Sequence, residues 1–185
     1  MFGLSRHADI NRLFNALLER PTPLVVSHGG VAVGSTSPNT CQAVQAAVQS
    51  GADVVKIDVS ASSDGVFYAF HDGFEEELLG VAGRNIQSMS SWEIDRLVYK
   101  WVDRPGRPAS VERLLALLSP FRGQNVLFAL DRSWWRWPQL LKLLDGSGMR
   151  NQLLLKVPSW EQDALRKLQQ HPVGYATIGI CSHEA

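Results

Sequence analysis

The hydrophobic positions change their period along the chain, and each change marks an element. Ile10, Leu13, Phe14, Leu17 and Leu18 recur at helical spacing, with Asp9, Arg12 and Glu19 between them. That pattern predicts an amphipathic helix ended by Pro21. Residues 24–27 are a short apolar strand running into His28-Gly29-Gly30. A helix is predicted over 41–49, with Asn39 or Thr40 as its cap and Gly51 closing it. Residues 54–60 form a buried strand that carries two charges. Strand residues two apart share a face, so Lys56 and Asp58 lie with Val54, while Val55, Ile57 and Val59 lie opposite.

The turn residues Ser62, Ser63, Asp64 and Gly65 lead into an extended run over 66–70 that ends in His71-Asp72. Residues 73–88 read as an irregular excursion, with Glu75, Glu76 and Glu77 as a solvated loop. Ser90 or Ser91 begins a short helix, and a Pro/Gly-rich link covers 103–108. A helix capped by Ser110 is predicted over 110–118. The strand over 125–130 ends in Asp131-Arg132, and Trp134, Trp135 and Trp137 then lead to a helix over 139–144. Strands over 152–157 and 175–181 flank a helix over 161–170. Regular alternation of strand and helix predicts an α/β fold built on a parallel sheet. Residues 1–22 are the N-terminal helix and link, and 24–185 form the rest of a single domain.

Composition narrows the class. With 185 residues and 45% hydrophobic content, the chain can bury one real core. Its formal net charge is zero and it has no basic stripe, which argues against a nucleic-acid partner. Cys41 and Cys181 lie too far apart for a metal-type spacing, and Cys41 reads as a small buried apolar residue. The N-terminal stretch lacks a secretory pattern, and no apolar run reaches the length of a membrane span. A cytoplasmic location is the expectation. An unclosed sheet edge favours pairing with another chain, so a homo-oligomer is an expected partner state.

The charged strand is the chemical signal. A Lys and an Asp inside an apolar strand are costly to bury unless they pair or serve a site. Both readings stand for Lys56 and Asp58. Asn39 fits either a cap or a site contact, and Asp131 either a strand end or a ligand. Asp72 fits an orienting role. The three tryptophans either line an apolar subsite or membrane interface, or pack a loop over the helices.

In order along the chain stand His28-Gly29-Gly30, Pro38-Asn39-Thr40, Gly51-Ala52-Asp53, Lys56-Ile57-Asp58, Asp64-Gly65 and His71-Asp72. This series resembles the glycerophosphodiester phosphodiesterase family, within the phospholipase-C-like phosphodiesterase barrels. The strand NVLFALDR and the segment VPSWEQDALRKLQQHP resemble later parts of the same family. Three positions depart from its pattern. Gly29 stands for an Arg, Pro38 for a Glu, and Lys56 for the first acidic metal ligand. A complete barrel of this type takes about 250 residues, so the implied fold is a TIM-barrel-like (β/α) fold, incomplete in this chain.

The resemblance implies cleavage of a glycerophosphodiester-like or lysophospholipid-like substrate, with His28 and His71 as catalytic acid and base. It implies substrate contacts at Lys56, Asn39 and Trp134, and Asp58 and Asp131 as metal ligands. Two cofactor expectations follow. Either Mg²⁺ or Ca²⁺ is held by the two aspartates, or the site is metal-free with the Lys56 ammonium in the cation's place. The alternative function is a catalytically silent relative that serves as a binding or assembly module.

Overall fold

The computed structural model describes residues 12–33, 36–100 and 108–181. The predicted links at 103–107 and the first turns of the N-terminal helix lie outside them. What remains of that helix is α1 (Arg12–Leu18). It is followed by β1 (Val26–His28), α2 (Cys41–Gln49), β2 (Val54–Ala61) and β3 (Phe67–Ala69). Then come α3 (Ser91–Ile94), β4 (Glu112–Arg113), α4 (Leu114–Leu118) and β5 (Leu127–Asp131). The chain ends in α5 (Trp137–Asp145), β6 (Leu153–Pro158), α6 (Gln162–Gln170) and β7 (Ala176–Ile180).

Five strands run parallel in the spatial order β1-β2-β5-β6-β7. Each apolar strand is connected to the next through helical crossovers, as a parallel sheet requires. Among the described residues the sheet stays open: β1 pairs only with β2, and β7 only with β6. Val55, Ile57 and Val59 of β2 pack with Val44 of α2, Leu114 and Leu117 of α4, Leu140 of α5 and Leu168 of α6 in the main core. Val54, Leu127, Ala129 and Leu154 face the other way, against Leu17 of α1. The face assignment read from the alternation of β2 therefore holds.

The upper part of β2 forms an antiparallel hairpin with β3, which pairs in turn with β4. Between β3 and β4 the chain makes a compact excursion with its own core, formed by Tyr68, Phe70, Leu79, Ile86, Met89, Ile94 and Tyr99. Its stretch at 75–77 is not a uniformly solvated loop. Glu75 is 4% exposed, and its carboxylate accepts from the backbone N–H of Gly73 and of Ile86, both at 2.8 Å. Ser90 caps α3 in a reciprocal box with Glu93, an arrangement that typically contributes about 1 kcal/mol.

The helix predicted from Ser110 begins four residues later, at Leu114. Ser110 bridges Val98, and Glu112 and Arg113 pair with Ala69 and Tyr68. Sheet pairing has overridden a good helical period at those positions. Gly30 has φ 83°, and a Cβ there would lie 2.4 Å from the backbone carbon of Ala43. Only glycine lets α2 seat against the end of β1.

Candidate active site

Parallel strands bring their C-terminal ends to one side, and the ionisable residues gather there. Asp58 on β2 is the register partner of Asp131 on β5. Two carboxylates at facing positions on adjacent strands repel unless a cation lies between them. Lys56 is that cation. Its Nζ contacts Asp58 Oδ1 and lies 3.3 Å from Asp131 Oδ2. Lys156 on β6 reaches the same Asp131 oxygen at 2.5 Å. At the other end Asn39 Nδ2 donates to Asp58 Oδ2 at 3.3 Å, and Asn39 Oδ1 accepts from Asp58 N–H at 3.1 Å. A single polar row thus runs Asn39, Asp58, Lys56, Asp131, Lys156 across three strands. Thr40, not Asn39, caps α2, accepting from Ala43 N–H at 3.2 Å.

The two histidines flank one point on the edge of β2. Carbonyls two apart on a strand point to the same edge. Lys56 O accepts from Gly29 N–H and Asp58 O from Phe70 N–H, each at 2.9 Å. β1 rising from below and β3 descending from above therefore abut along one edge of β2. His28 is the register partner of Lys56, and His71 follows Phe70 directly. His28 is exposed and His71 half-buried. His71 Nδ1 lies 2.8 Å from the Asp72 carbonyl. A carbonyl only accepts, so Nδ1 carries the proton, and in the neutral imidazole Nε2 then keeps its lone pair. The Phe74 ring stands edge-on to the imidazole, with centroids 4.8 Å apart.

Asp72 orients a further cation. Its Oδ1 accepts from Arg132 Nε at 2.7 Å and its Oδ2 from Gln87 Nε2 at 3.0 Å. Arg132 has φ 59°, and with Asn39 (φ 56°) it makes up the non-glycine residues of positive φ among those described. Asparagine tolerates that region. For arginine it costs about 1–2 kcal/mol. The Arg132 N–H also donates to Asp131 Oδ1 at 2.9 Å.

Burial opposes ionisation of Asp131, but the Lys156 ammonium, then Lys56 and the Arg132 N–H, outweigh it and hold its carboxyl below the usual range. The Asp72 hydrogen bond leads the causes that raise the Arg132 guanidinium above its ordinary value.

The donor set does not fit a divalent cation. Hard cations want several oxygens with unshared charge. Both oxygens of Asp58 and both of Asp131 already accept from an ammonium, an amide or an N–H. Two lysines neutralise the two aspartates. Among the described residues no group of three or more His, Cys, Asp or Glu could hold a metal ion. Asp58 and Asp131, the two residues expected to hold Mg²⁺ or Ca²⁺, thus have Lys56 between them.

The tryptophans divide. Trp137 is fully buried and donates to Ser133 Oγ at 3.1 Å, Trp134 packs against the main core, and Trp135 remains 41% exposed. Trp134, expected as a substrate contact, is partly buried against that core. Lys156, Arg132 and Gln87 were not singled out in the sequence. Lys156 is a lone charge inside an apolar strand, a signal of the same kind as the Lys56 and Asp58 pair. Gln87 gave none.

The chain is similar to known proteins in sequence and in fold. The sequence model of the glycerophosphoryl diester phosphodiesterase family matches residues 32–171. A glycerophosphodiester phosphodiesterase of Arabidopsis thaliana is 33% identical over 101 residues, which are 52% of this chain and 30% of that protein. A solved glycerophosphodiester phosphodiesterase of Agrobacterium tumefaciens superposes with a TM-score of 0.65 at 29% identity, over 80% of this chain and 62% of that one. A phosphodiesterase of Oleispira antarctica, in complex with the product sn-glycerol-3-phosphate, superposes with a TM-score of 0.68 at 22% identity, over 85% of this chain and 65% of that one. The chain therefore spans under a third of the plant relative and about three fifths of these solved structures. The barrel-type α/β expectation is borne out, with the sheet left open in this chain. By sequence match and by fold, the chain belongs to the glycerophosphoryl diester phosphodiesterase family.

Proposed function

We propose that the C-terminal ends of β1, β2 and β5 form a phosphodiester-cleaving site for a glycerophosphodiester-like or lysophospholipid-like substrate. His28 and His71 are its acid and base. One imidazole removes a proton from the attacking hydroxyl and the other gives a proton to the leaving alkoxide. The Nε2 lone pair of His71 suits it to the first task. The observation that carries this reading is the junction of β1 and β3 on one edge of β2, with a histidine on each side and Lys56-Asp58 beside it. The product sn-glycerol-3-phosphate bound by the Oleispira antarctica protein supports the substrate class. We further infer that the reaction needs no metal, because Lys56 fills the gap between Asp58 and Asp131.

One observation favours a second reading, a silent relative that binds without cleaving. The ammonium of Lys56 is engaged by two carboxylates, so it offers a phosphate less charge than a metal ion would. Turnover of glycerophosphodiesters and lysophospholipids with and without EDTA separates the two, with His28→Ala as control. Turnover that survives EDTA and falls at least a hundredfold in His28→Ala is the expected result. No turnover by the folded protein under any condition assigns it to the silent reading.

A further inference from the structure

We propose that Arg132 is the phosphate-binding cation of this site, its two terminal nitrogens gripping the two non-bridging oxygens of a phosphodiester monoanion. The ligand class rests on the phosphodiester reading above; the choice of residue rests on four observations.

The first is conformational. Arg132 keeps a left-handed backbone that glycine would hold without strain, immediately beyond the last residue of β5. Such strain persists where the surrounding structure imposes it and gathers at functional sites. Asn39, the other non-glycine residue of positive φ among those described, also touches the charged row.

The second is orientation. Asp72 takes Arg132 through Nε alone, and Gln87 holds the other Asp72 oxygen. The carboxylate is thereby fixed, and it fixes the plane of the guanidinium. Among the described residues the two terminal nitrogens have no protein partner, and the side chain is 38% exposed. A guanidinium held by its Nε presents a planar fork whose spacing matches two oxygens of one phosphate.

Charge is the third. Lys56 and Lys156 are both bonded to aspartates, so each ammonium is matched by a carboxylate. Arg132 is paired as well, with Asp72, but through its Nε–H alone, which leaves the four N–H donors of its two terminal nitrogens to face a ligand. Placement is the fourth, since its own N–H is bonded to Asp131 Oδ1. Its side chain meets Asp72, the residue next to His71. Arg132 thus links the carboxylate row to the histidine junction.

The test uses the whole chain, with dimethyl phosphate as probe, titrated by phosphorus NMR, and thermal unfolding as the fold control. Arg132→Gly removes the guanidinium and relieves the backbone, so it should unfold at or above the temperature of the unmodified protein. It should bind the probe at least tenfold more weakly. Arg132→Lys keeps the charge but not the fork and should remain at least threefold weaker. Unchanged affinity in Arg132→Gly overturns the proposal, as does failure of the unmodified protein to bind dimethyl phosphate. The outcome is separable from that of turnover. Probe binding that depends on Arg132 without any cleavage upholds the proposal and sinks the enzyme reading. Cleavage that ignores Arg132 does the reverse.

Discussion

At the scale of residues, the site is organised by a conflict between two carboxylates. Asp58 and Asp131 face each other across paired strands, and both are buried. Lys56, with a side chain 11% exposed, resolves the conflict. Replacing it with methionine keeps the bulk and removes the charge. Breaking a buried ion pair in this way typically costs about 3–5 kcal/mol, so Lys56→Met should lose that order of stability in urea unfolding at pH 7. The pH dependence follows from the lowered pKa of Asp131. On acidification the unfolded chain takes up its proton first, near the ordinary value of about 4. The stabilisation from Asp131 is therefore complete above that value and is lost as pH falls through the lower folded value. In Lys56→Met the carboxyl is less depressed, so the gap between variant and parent should narrow below about pH 4. Equal losses at pH 7 and pH 3 would contradict the bridge. The pair was legible because two charges interrupt an apolar alternation in β2. Arg132 was not, since a loop position has no period, and its meaning lies in a backbone angle and in Asp72, sixty residues away.

At the scale of elements, the sequence pattern located the strands and helices within a few residues wherever one face alone is buried. It failed where a local helical period competes with sheet pairing. Residues 110–113 read as helix, yet Val111 is 4% exposed in the excursion core, and Glu112 and Arg113 pair with β3. The acidic stretch at 75–77 misled in the opposite sense, because the partners of Glu75 are backbone N–H groups that leave no trace in composition. Local signals succeed where geometry demands a particular residue. Gly30→Ala tests one of these. It forces a Cβ to within 2.4 Å of Ala43 backbone at φ 83°, combining overpacking with left-handed strain, together about 2–5 kcal/mol. Its urea midpoint should fall accordingly. The same substitution at Gly65, where a Cβ meets nothing within 4 Å, should cost only the strain, about 1–2 kcal/mol.

At the scale of the whole molecule, the sheet is what remains unsatisfied. Among the described residues β1 and β7 each have one partner strand, so each presents a row of backbone donors and acceptors on its outer edge. Val25 and Val26 on the β1 side are 51% and 61% exposed. An open edge with apolar side chains is a template for another strand. Charge does not oppose association, since the chain carries no net charge. The positions of the five parallel strands could be read from the sequence to within a few residues, whereas the open sheet was expected from chain length, because closure is a property of the whole sheet and no local pattern reports it. The expected consequence is self-association of the 185-residue chain through β1. Sedimentation should show a weight-average mass that rises with concentration. Val26→Lys places a charge on that strand without touching the register of β1 with β2, because Val26 already faces solvent. It should return the protein to a monomer while the unfolding midpoint changes by less than about 0.5 kcal/mol, the usual range for surface substitutions. A parent that stays monomeric at every concentration would mean that the edge is protected by something other than a neighbouring strand. Self-association that persists unchanged in Val26→Lys would move the contact to β7, whose alternating half-buried and exposed residues offer the same backbone chemistry.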